Sequence, residues 1–112
     1  AVLRGGSGGD VATAVNYINQ IRGRAYGDAG GNITSADLNL DFILDERARE
    51  LYWEAHRRTD LIRFGKFSGD GYLWAWKGAV KEGKSTDAKF NIYPIPAADV
   101  IANTNLKQNT GY

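Results

Sequence analysis

The sequence lacks cysteine and methionine and contains a single histidine, His56, among its 112 residues. Without cysteine the chain can form no disulfide, no thiolate metal site and no cysteine nucleophile. One imidazole is too few for the usual zinc sites, and no G-x-S-x-G motif supports a Ser-His-Asp triad. We therefore expect no catalytic residue, no metal and no cofactor. We interpret His56 as lying at the negative end of a helix dipole.

An excess of one charge and long apolar runs are also missing. The chain carries 14 basic and 13 acidic residues, a net charge of +1, which does not indicate a nucleic-acid partner. No apolar run approaches the ~18–20 residues of a membrane span. The hydrophobic fraction of 43% is ordinary for a globular protein, and the length suffices for one small domain. Because even an initiating methionine is missing, we expect the chain to be one part of a longer protein.

An amphipathic helix is predicted near the start of the chain, with Asp10 as its N-cap and Gly27 as its terminating glycine. Its apolar residues recur at helical spacing and form one stripe: Val11, Ala14, Val15, Ile18, Ile21 and Ala25. Residues Ala1–Arg4 have the composition of the last turn of a preceding helix, which Gly5 closes. We interpret the region as a helical hairpin lacking most of its first arm, with a partly exposed stripe and marginal stability.

A long charged helix is predicted over Leu40–His56, continuing with a kink to Phe64. Two signals compete for its start, the T-x-x-D pair of Thr34 and Asp37, and Asn39 as a second N-cap. The side that faces the core is expected to comprise Leu44, Ala48, Leu51, Ala55 and Ile62.

The rest of the chain, beginning at Gly65, shows no regular period as far as Phe90. Pro94 and Pro96 keep the segment "FNIYPIP" out of the middle of a sheet, and Pro96 can open one short helix at its first position. Irregular stretches this long are uncommon in a small domain and usually rest on something larger. The predicted fold is therefore mostly α, with a helical hairpin remnant, a long charged helix and extended irregular loops.

The carboxylates of the charged helix suggest glycoside hydrolysis as one alternative. Glu46, Glu50 and Glu54 follow i, i+4, i+8 spacing, which places neighbouring Cβ atoms about 5–6 Å apart on one face. Side chains that project together from one face cannot flank a glycosidic bond, as the two acids of a glycosidase must. Arginines follow the acids at helical spacing, so ion pairs are expected at Asp45–Arg49, Glu46–Arg49, Glu54–Arg57 and Glu54–Arg58. A salt-bridged helix is the favoured interpretation.

The segment "YLWAW" is the candidate binding site. In an extended chain Tyr72, Trp74 and Trp76 point to the same side. A row of aromatic faces suits stacking against sugar rings, or against nucleic-acid bases. Alternatively, the three rings hold an irregular loop against the core. The residues alone leave both interpretations open.

Three segments carry a family resemblance. The first is "LDERARELYWEAHRRTDLIRFGKF", which is similar to the pattern E-R-x-x-E-L-x-x-E-(G)-x-R-x-x-D-L-x-R-x-G-K. The others are "AVNYINQIRGRAYG", similar to a helix of pattern INxxRxRAG, and the closing segment "YPIPAADVIANTNLKQNTGY". In this order they resemble the C-terminal part of the SusD/RagB family and cover most of the chain. Ala55 stands where that family frequently has glycine, and Thr110 where it frequently has proline.

The resemblance implies that residues 1–112 are the C-terminal part of a larger, tetratricopeptide-like α-helical protein. It implies non-catalytic glycan binding at the cell surface, with hand-over to a TonB-dependent outer-membrane transporter of the SusC type. It also implies an outer-membrane location through a lipid anchor that precedes this chain. The predicted glycan contacts are Tyr72, Trp74 and Trp76, and a purely protein-binding helical scaffold is the second alternative.

The resemblance also gives the charged stretch an architectural role. We interpret its charges as partly buried Arg–carboxylate bonds that clamp the helix to the body of the larger protein, with Arg47, Glu50 and Arg57 among them.

Overall fold

The structure, a computed structural model, describes residues 2–6 and 9–112 and divides the chain into two units, Ala1–Glu54 and Ala55–Tyr112. The first unit contains two α-helices, α1 (Val11–Tyr26) and α2 (Leu40–Glu50). The second contains the shorter helices α3 (Arg57–Arg63) and α4 (Ala97–Ala102). Within the described residues, four 3₁₀ turns complete the elements, at Val2–Arg4, Ala29–Gly31, Lys77–Ala79 and Ala88–Asn91. The prediction of a mostly α fold is confirmed.

Helix α1 begins and ends where its capping residues predict. The Asp10 carboxylate accepts a hydrogen bond from the Thr13 backbone N–H at 2.7 Å and another from the Thr13 hydroxyl at 3.2 Å. These bonds, the backbone one first, hold the pKa of Asp10 below its usual range. Gly27 adopts a left-handed φ of 78° and donates its N–H to the Gly23 carbonyl, which closes the helix. Of the predicted preceding turn, Val2–Arg4 is a 3₁₀ helix, and Ala1 lies outside the described residues.

The two competing start signals of α2 perform different tasks. The Asn39 side chain accepts from the Phe42 N–H at 2.8 Å, so Asn39 is the N-cap. The Asp37 carboxylate instead accepts from the Thr34 N–H and then from its hydroxyl, both at 2.8 Å, and these bonds lower the pKa of Asp37. The T-x-x-D pair therefore closes a turn ahead of the helix, because a second polar residue caps α2 two positions later.

The predicted continuous helix Leu40–His56 is wrong over its last six residues. Helix α2 ends at Glu50, and the chain turns before α3 begins at Arg57. Trp53 and Ala55 have φ angles of 68° and 59°, in the left-handed region that a right-handed helix cannot contain. The break carries no proline and no glycine, so the sequence gives no breaker signal there. The left-handed φ of Ala55 explains why the family pattern frequently has glycine at this position, since glycine adopts such a conformation without steric cost.

This break changes several expected positions. His56 immediately precedes α3, at the positive end of that helix, so the expected placement at a negative helix end is wrong. Glu54 no longer shares a helix with Arg57 or Arg58, and the spacing argument for those two ion pairs fails. Ala55 is exposed and contributes nothing to a buried side. Gly65 ends the region after α3 with φ 69°, as predicted.

The apolar core is small. Leu38, Leu44 and Leu61 are the apolar side chains that the described part of the chain buries, at 6%, 1% and 5% exposure. The stripe of α1 is at best half-buried, and Ile21 is 36% exposed, which confirms the expectation of a partly exposed stripe. None of the described helices has the length and apolarity needed to cross a bilayer. The short helix after Pro96 is confirmed, with Pro96 as its N-cap rather than its first residue.

Candidate functional site

The irregular loop of the second unit is organised around a buried lysine. Lys77 is 2% exposed, and its ammonium donates to the carbonyls of Gly69 and Tyr72, both at 2.7 Å. The same Nζ lies 4.7 Å from the centre of the Trp74 ring. A buried ammonium is unfavourable unless its donors are used, and here two carbonyls and an aromatic face use them. Lys77 thus fixes the backbone at Gly69 and Tyr72 and contacts the ring of Trp74.

The predicted glycan residues fall into two groups. The rings of Tyr72 and Trp74 lie 6.0 Å apart between centres, and the Phe67 ring lies 6.3 Å from that of Trp74. All three rings are half-buried. Trp76 stands apart, because its φ of 69° ends the extended course that would have aligned it with the others. Its side chain is 66% exposed at the start of the 3₁₀ turn.

Two adjoining hollows surround this cluster. The larger has a volume of about 490 Å³, and the smaller about 310 Å³. They share Arg58, Phe67 and Trp74, and we call them together the aromatic cleft. Tyr72 lines the smaller hollow, and the larger is completed on its far side by three further rings, Phe90, Tyr93 and Tyr112. A volume of this size suits a ligand of a few sugar rings or one drug-sized molecule.

Two arginines of α3 stand in the aromatic cleft. Arg57 donates to the Tyr72 hydroxyl at 3.0 Å. The guanidinium of Arg58 lies 3.9 Å from the centre of the Tyr93 ring and 5.0 Å from that of Phe67. It also donates to the Phe90 carbonyl at 2.6 Å. Helix α3 therefore places cationic groups against the rings, an arrangement that offers both stacking and charge.

The closing segment of the chain holds the far wall of the cleft. The amide of Gln108 bonds both backbone groups of Ile95, at 2.8 and 2.7 Å. Asn109 donates to the Tyr93 carbonyl at 2.7 Å, and the Tyr112 hydroxyl donates to the Ile92 carbonyl at 2.8 Å. The amide-rich tail thereby satisfies the backbone of an extended segment that has no sheet partner. This explains the closing motif physically.

Two of the three carboxylates weighed for glycoside hydrolysis, Glu46 and Glu50, form ion pairs with arginines. Glu46 accepts from Arg49 at 2.6 Å, as predicted, and from Arg22 of α1 at 2.7 Å. Glu50 pairs with Arg24, also of α1. In the described residues, no three acidic or histidine side chains cluster to hold a metal ion.

One partly buried ion pair joins the two helices of the first unit, while the expected clamp to the body of the larger protein through Arg47, Glu50 and Arg57 stays a prediction. The side chains of Arg22 and Glu46 are each only 13% exposed, and their pair joins α1 to α2. The Arg22 guanidinium additionally lies 5.1 Å from the Tyr26 ring centre and 5.7 Å from that of Phe42. Sequence spacing could not identify this pair, because its members are 24 residues apart.

The sequence reasoning missed several residues of the cleft. Phe67, Arg58 and Tyr93 belong to it, yet they lie in three separate segments with no common period. Lys77 was missed because a lysine in a glycine-rich loop is normally solvated. The aromatic richness of residues 64–93 was the available signal, and it indicated the region without indicating the partners.

Comparison with known proteins gives two findings. The sequence profile described as the SusD family matches residues 5–112. The protein named starch-binding protein SusD, from Bacteroides thetaiotaomicron, is 43% identical over 107 residues, which cover 94% of this chain and 18% of that protein. The chain thus spans less than a fifth of the length of the curated relative it matches.

Proposed function

The chain belongs to the SusD family, and on that premise we propose that it is part of a non-catalytic protein that binds glycans. The observation that carries the proposal is the aromatic cleft, in which the rings of Phe67, Tyr72 and Trp74 line hollows large enough for sugar rings. Sugar rings have apolar faces that stack on aromatic side chains, while their hydroxyls need hydrogen-bonding partners at the edge. The arginines of α3 are donors of that kind.

The predicted contacts Tyr72, Trp74 and Trp76 have unequal roles in this proposal. Tyr72 and Trp74 form a half-buried stacking wall that Lys77 fixes in place. Trp76 is the exposed ring, and it contacts the glycan outside the cleft. Loop fixation and glycan binding are thus compatible functions of the same segment, and the two interpretations of "YLWAW" do not exclude each other.

We place the protein at the outer-membrane surface, where it passes glycan to a TonB-dependent transporter of the SusC type. The family resemblance supports this placement, together with the lipid anchor that it implies outside the present chain. Co-purification of the transporter from membranes tests the partnership, with the protein carrying an affinity tag. Recovery without the transporter would contradict the partnership and leave glycan binding untouched.

Tryptophan substitution tests the binding site. We expect Trp76→Ala to weaken binding of a starch oligosaccharide about 2- to 10-fold, because one aromatic stacking contact is worth about 0.5–1.5 kcal/mol. Its exposure means that the melting temperature should not change. Trp74→Phe keeps a ring in the packed position and should weaken binding to a smaller degree.

The matched control for these variants is Trp53→Ala. Trp53 is 89% exposed and belongs to the other unit, so its removal should leave both affinity and melting temperature unchanged. Equal affinity of all three variants would refute the assignment of the site.

A second candidate function, a protein-binding scaffold, is favoured by one observation. The first unit has an apolar hollow of about 280 Å³ between α1 and α2, in which the partly exposed stripe residues Ile18 and Ile21 take part. Such a hollow can receive an apolar helix face from a partner. A glycan panel with no binder, together with intact transporter recovery, would favour this function over glycan binding.

A further inference from the structure

The aromatic cleft has a distinct charge character. Both hollows are lined by arginine, Arg58 in both and Arg57 in the smaller, whereas the ammonium of Lys77, which lines the larger, is bonded to two carbonyls. Among the described residues that line them, none is acidic. From these facts, and resting on the proposed function, we infer that the cleft selects glycans that contain uronic acids, whose sugar rings carry carboxylates, over neutral glycans.

The two units differ in charge in the direction that this inference requires. The second unit, Ala55–Tyr112, contains nine basic and five acidic residues, whereas the first contains five basic and eight acidic residues. Although the net charge of the whole chain is near zero, the second unit, which contains the cleft, is cationic. A cationic hollow with apolar walls concentrates anions, because the low-dielectric walls screen the charge less than water does.

Arg58 is the side chain that would bind the carboxylate of the uronic acid. Its guanidinium carbon lies 3.9 Å from the centre of the Tyr93 ring and 5.0 Å from that of Phe67, so the group is in contact with both rings. Guanidinium has five N–H donors, and in the described part of the chain Arg58 makes one hydrogen bond, to the Phe90 carbonyl. A planar fork of this kind matches a carboxylate in a bidentate manner.

The neighbouring rings favour a carboxylate on the sugar ring itself. Phe67 is only 5.0 Å from the Arg58 guanidinium, and Trp74 is 6.3 Å beyond Phe67. A ligand that stacks on these rings must place its negative charge within one sugar residue of the stacked face. A uronate satisfies this demand because its carboxyl carbon is bonded directly to the ring. A sulfate ester stands further off on an oxygen, so we commit to the carboxylate.

A comparison of three glycans tests this inference on the unmodified protein. Oligogalacturonate, a neutral maltooligosaccharide of equal length and dextran sulfate are titrated by calorimetry at about 0.05 M and about 0.5 M salt, where the screening length differs several-fold. We expect oligogalacturonate to bind about tenfold more tightly than the neutral sugar at low salt, and this ratio to shrink at high salt. Equal affinity for the neutral sugar, or a ratio that salt does not change, would overturn the inference.

Two substitutions locate the effect. Arg58→Gln should remove most of the preference for oligogalacturonate, while Lys81→Gln removes one charge from an exposed position of the same unit and should retain it. Because Arg58 also stacks on Tyr93, Arg58→Lys serves as a second variant that keeps the charge but loses the planar fork. It should keep part of the preference and its salt dependence. Equal losses in Arg58→Gln and Lys81→Gln would contradict a specific site.

The outcomes separate this inference from the proposed function. Binding of the maltooligosaccharide without a preference for the uronate overturns the inference alone. Binding of dextran sulfate without oligogalacturonate also overturns it, because the cleft would then select sulfate. Failure of all three glycans to bind contradicts both the inference and the proposed function.

Discussion

Replacing Lys77 by methionine tests whether a buried ammonium holds the binding loop together. Methionine keeps an unbranched apolar side chain of similar length but removes the three donors. The carbonyls of Gly69 and Tyr72, each now 2.7 Å from Nζ, then lose their partner. An acceptor left unsatisfied costs about 1–3 kcal/mol.

The lower end of that range applies to each carbonyl, since Gly69 and Tyr72 are only half-buried and water can reach them in part. Removing the ammonium also removes its own desolvation cost, which further limits the loss. We expect a net destabilisation of about 1–2 kcal/mol, equivalent to about 4–16 °C in melting temperature for a unit of this size. The cation–π contact with Trp74 disappears as well, so tryptophan fluorescence should change in the folded state.

Urea unfolding followed by tryptophan fluorescence measures the loss. Sucrose is added to wild type and variants alike, because exclusion of the sugar from the protein surface raises a small stability into the measurable range. Lys81→Met is the control, since Lys81 is exposed in the same loop. If Lys77→Met proves as stable as wild type, or Lys81→Met is equally damaging, the structural role given to Lys77 is refuted.

Three further predictions concern the backbone, the caps and the ion pairs. Ala55→Gly should stabilise the chain by about 0.5–1 kcal/mol, because a φ of 59° is unfavourable for alanine. The control Ala48→Gly, inside α2, should cost about 1 kcal/mol. The urea midpoints of the two variants measure both effects. Since hydrogen bonds lower the folded-state pKa of Asp10 and Asp37, their stabilisation is present above the ordinary carboxyl pKa of about 3.9 and is lost as the pH falls through the folded values. The double variant Asp10→Asn and Asp37→Asn should lose less stability between pH 5 and pH 3 than wild type does, and an unchanged acid profile would contradict this. Arg22→Gln should cost about 1–2 kcal/mol, because it removes one of the two arginine partners of a Glu46 that is 13% exposed and leaves Arg49 as the other. Arg24→Gln, at an arginine that is 69% exposed, should cost under about 0.5 kcal/mol, and equal costs in thermal melts would refute the distinction.

Local chemistry made the caps predictable. Asp10, Gly27 and Asn39 each act through bonds to residues at most four positions away, so sequence spacing contains the whole interaction. The predicted ion pair Glu46–Arg49 is of the same kind. The three segments that resemble the SusD/RagB family, in the family's order, also predicted the family correctly, and the profile match confirms this prediction.

Interactions across the chain were not predictable in the same way. The break between α2 and α3 contains Trp53 and Ala55 in a left-handed conformation that neither residue type favours, so no local rule marks it. The aromatic cleft combines α3, the loop around Lys77 and the closing segment, which are far apart in sequence. Periodicity describes one element at a time and cannot identify such a combination.

The three tryptophans provide the most direct test of glycan binding by the second unit. Each gives its own indole N–H resonance in a nitrogen-15 correlation spectrum, and they report on three places: the exposed break at Trp53, the cleft wall at Trp74 and the exposed turn at Trp76. Titration with oligogalacturonate, and separately with a maltooligosaccharide, should shift the Trp74 and Trp76 resonances in a saturable manner and leave Trp53 unmoved. If neither glycan shifts Trp74 or Trp76, or if Trp53 alone shifts, glycan binding by the second unit is contradicted.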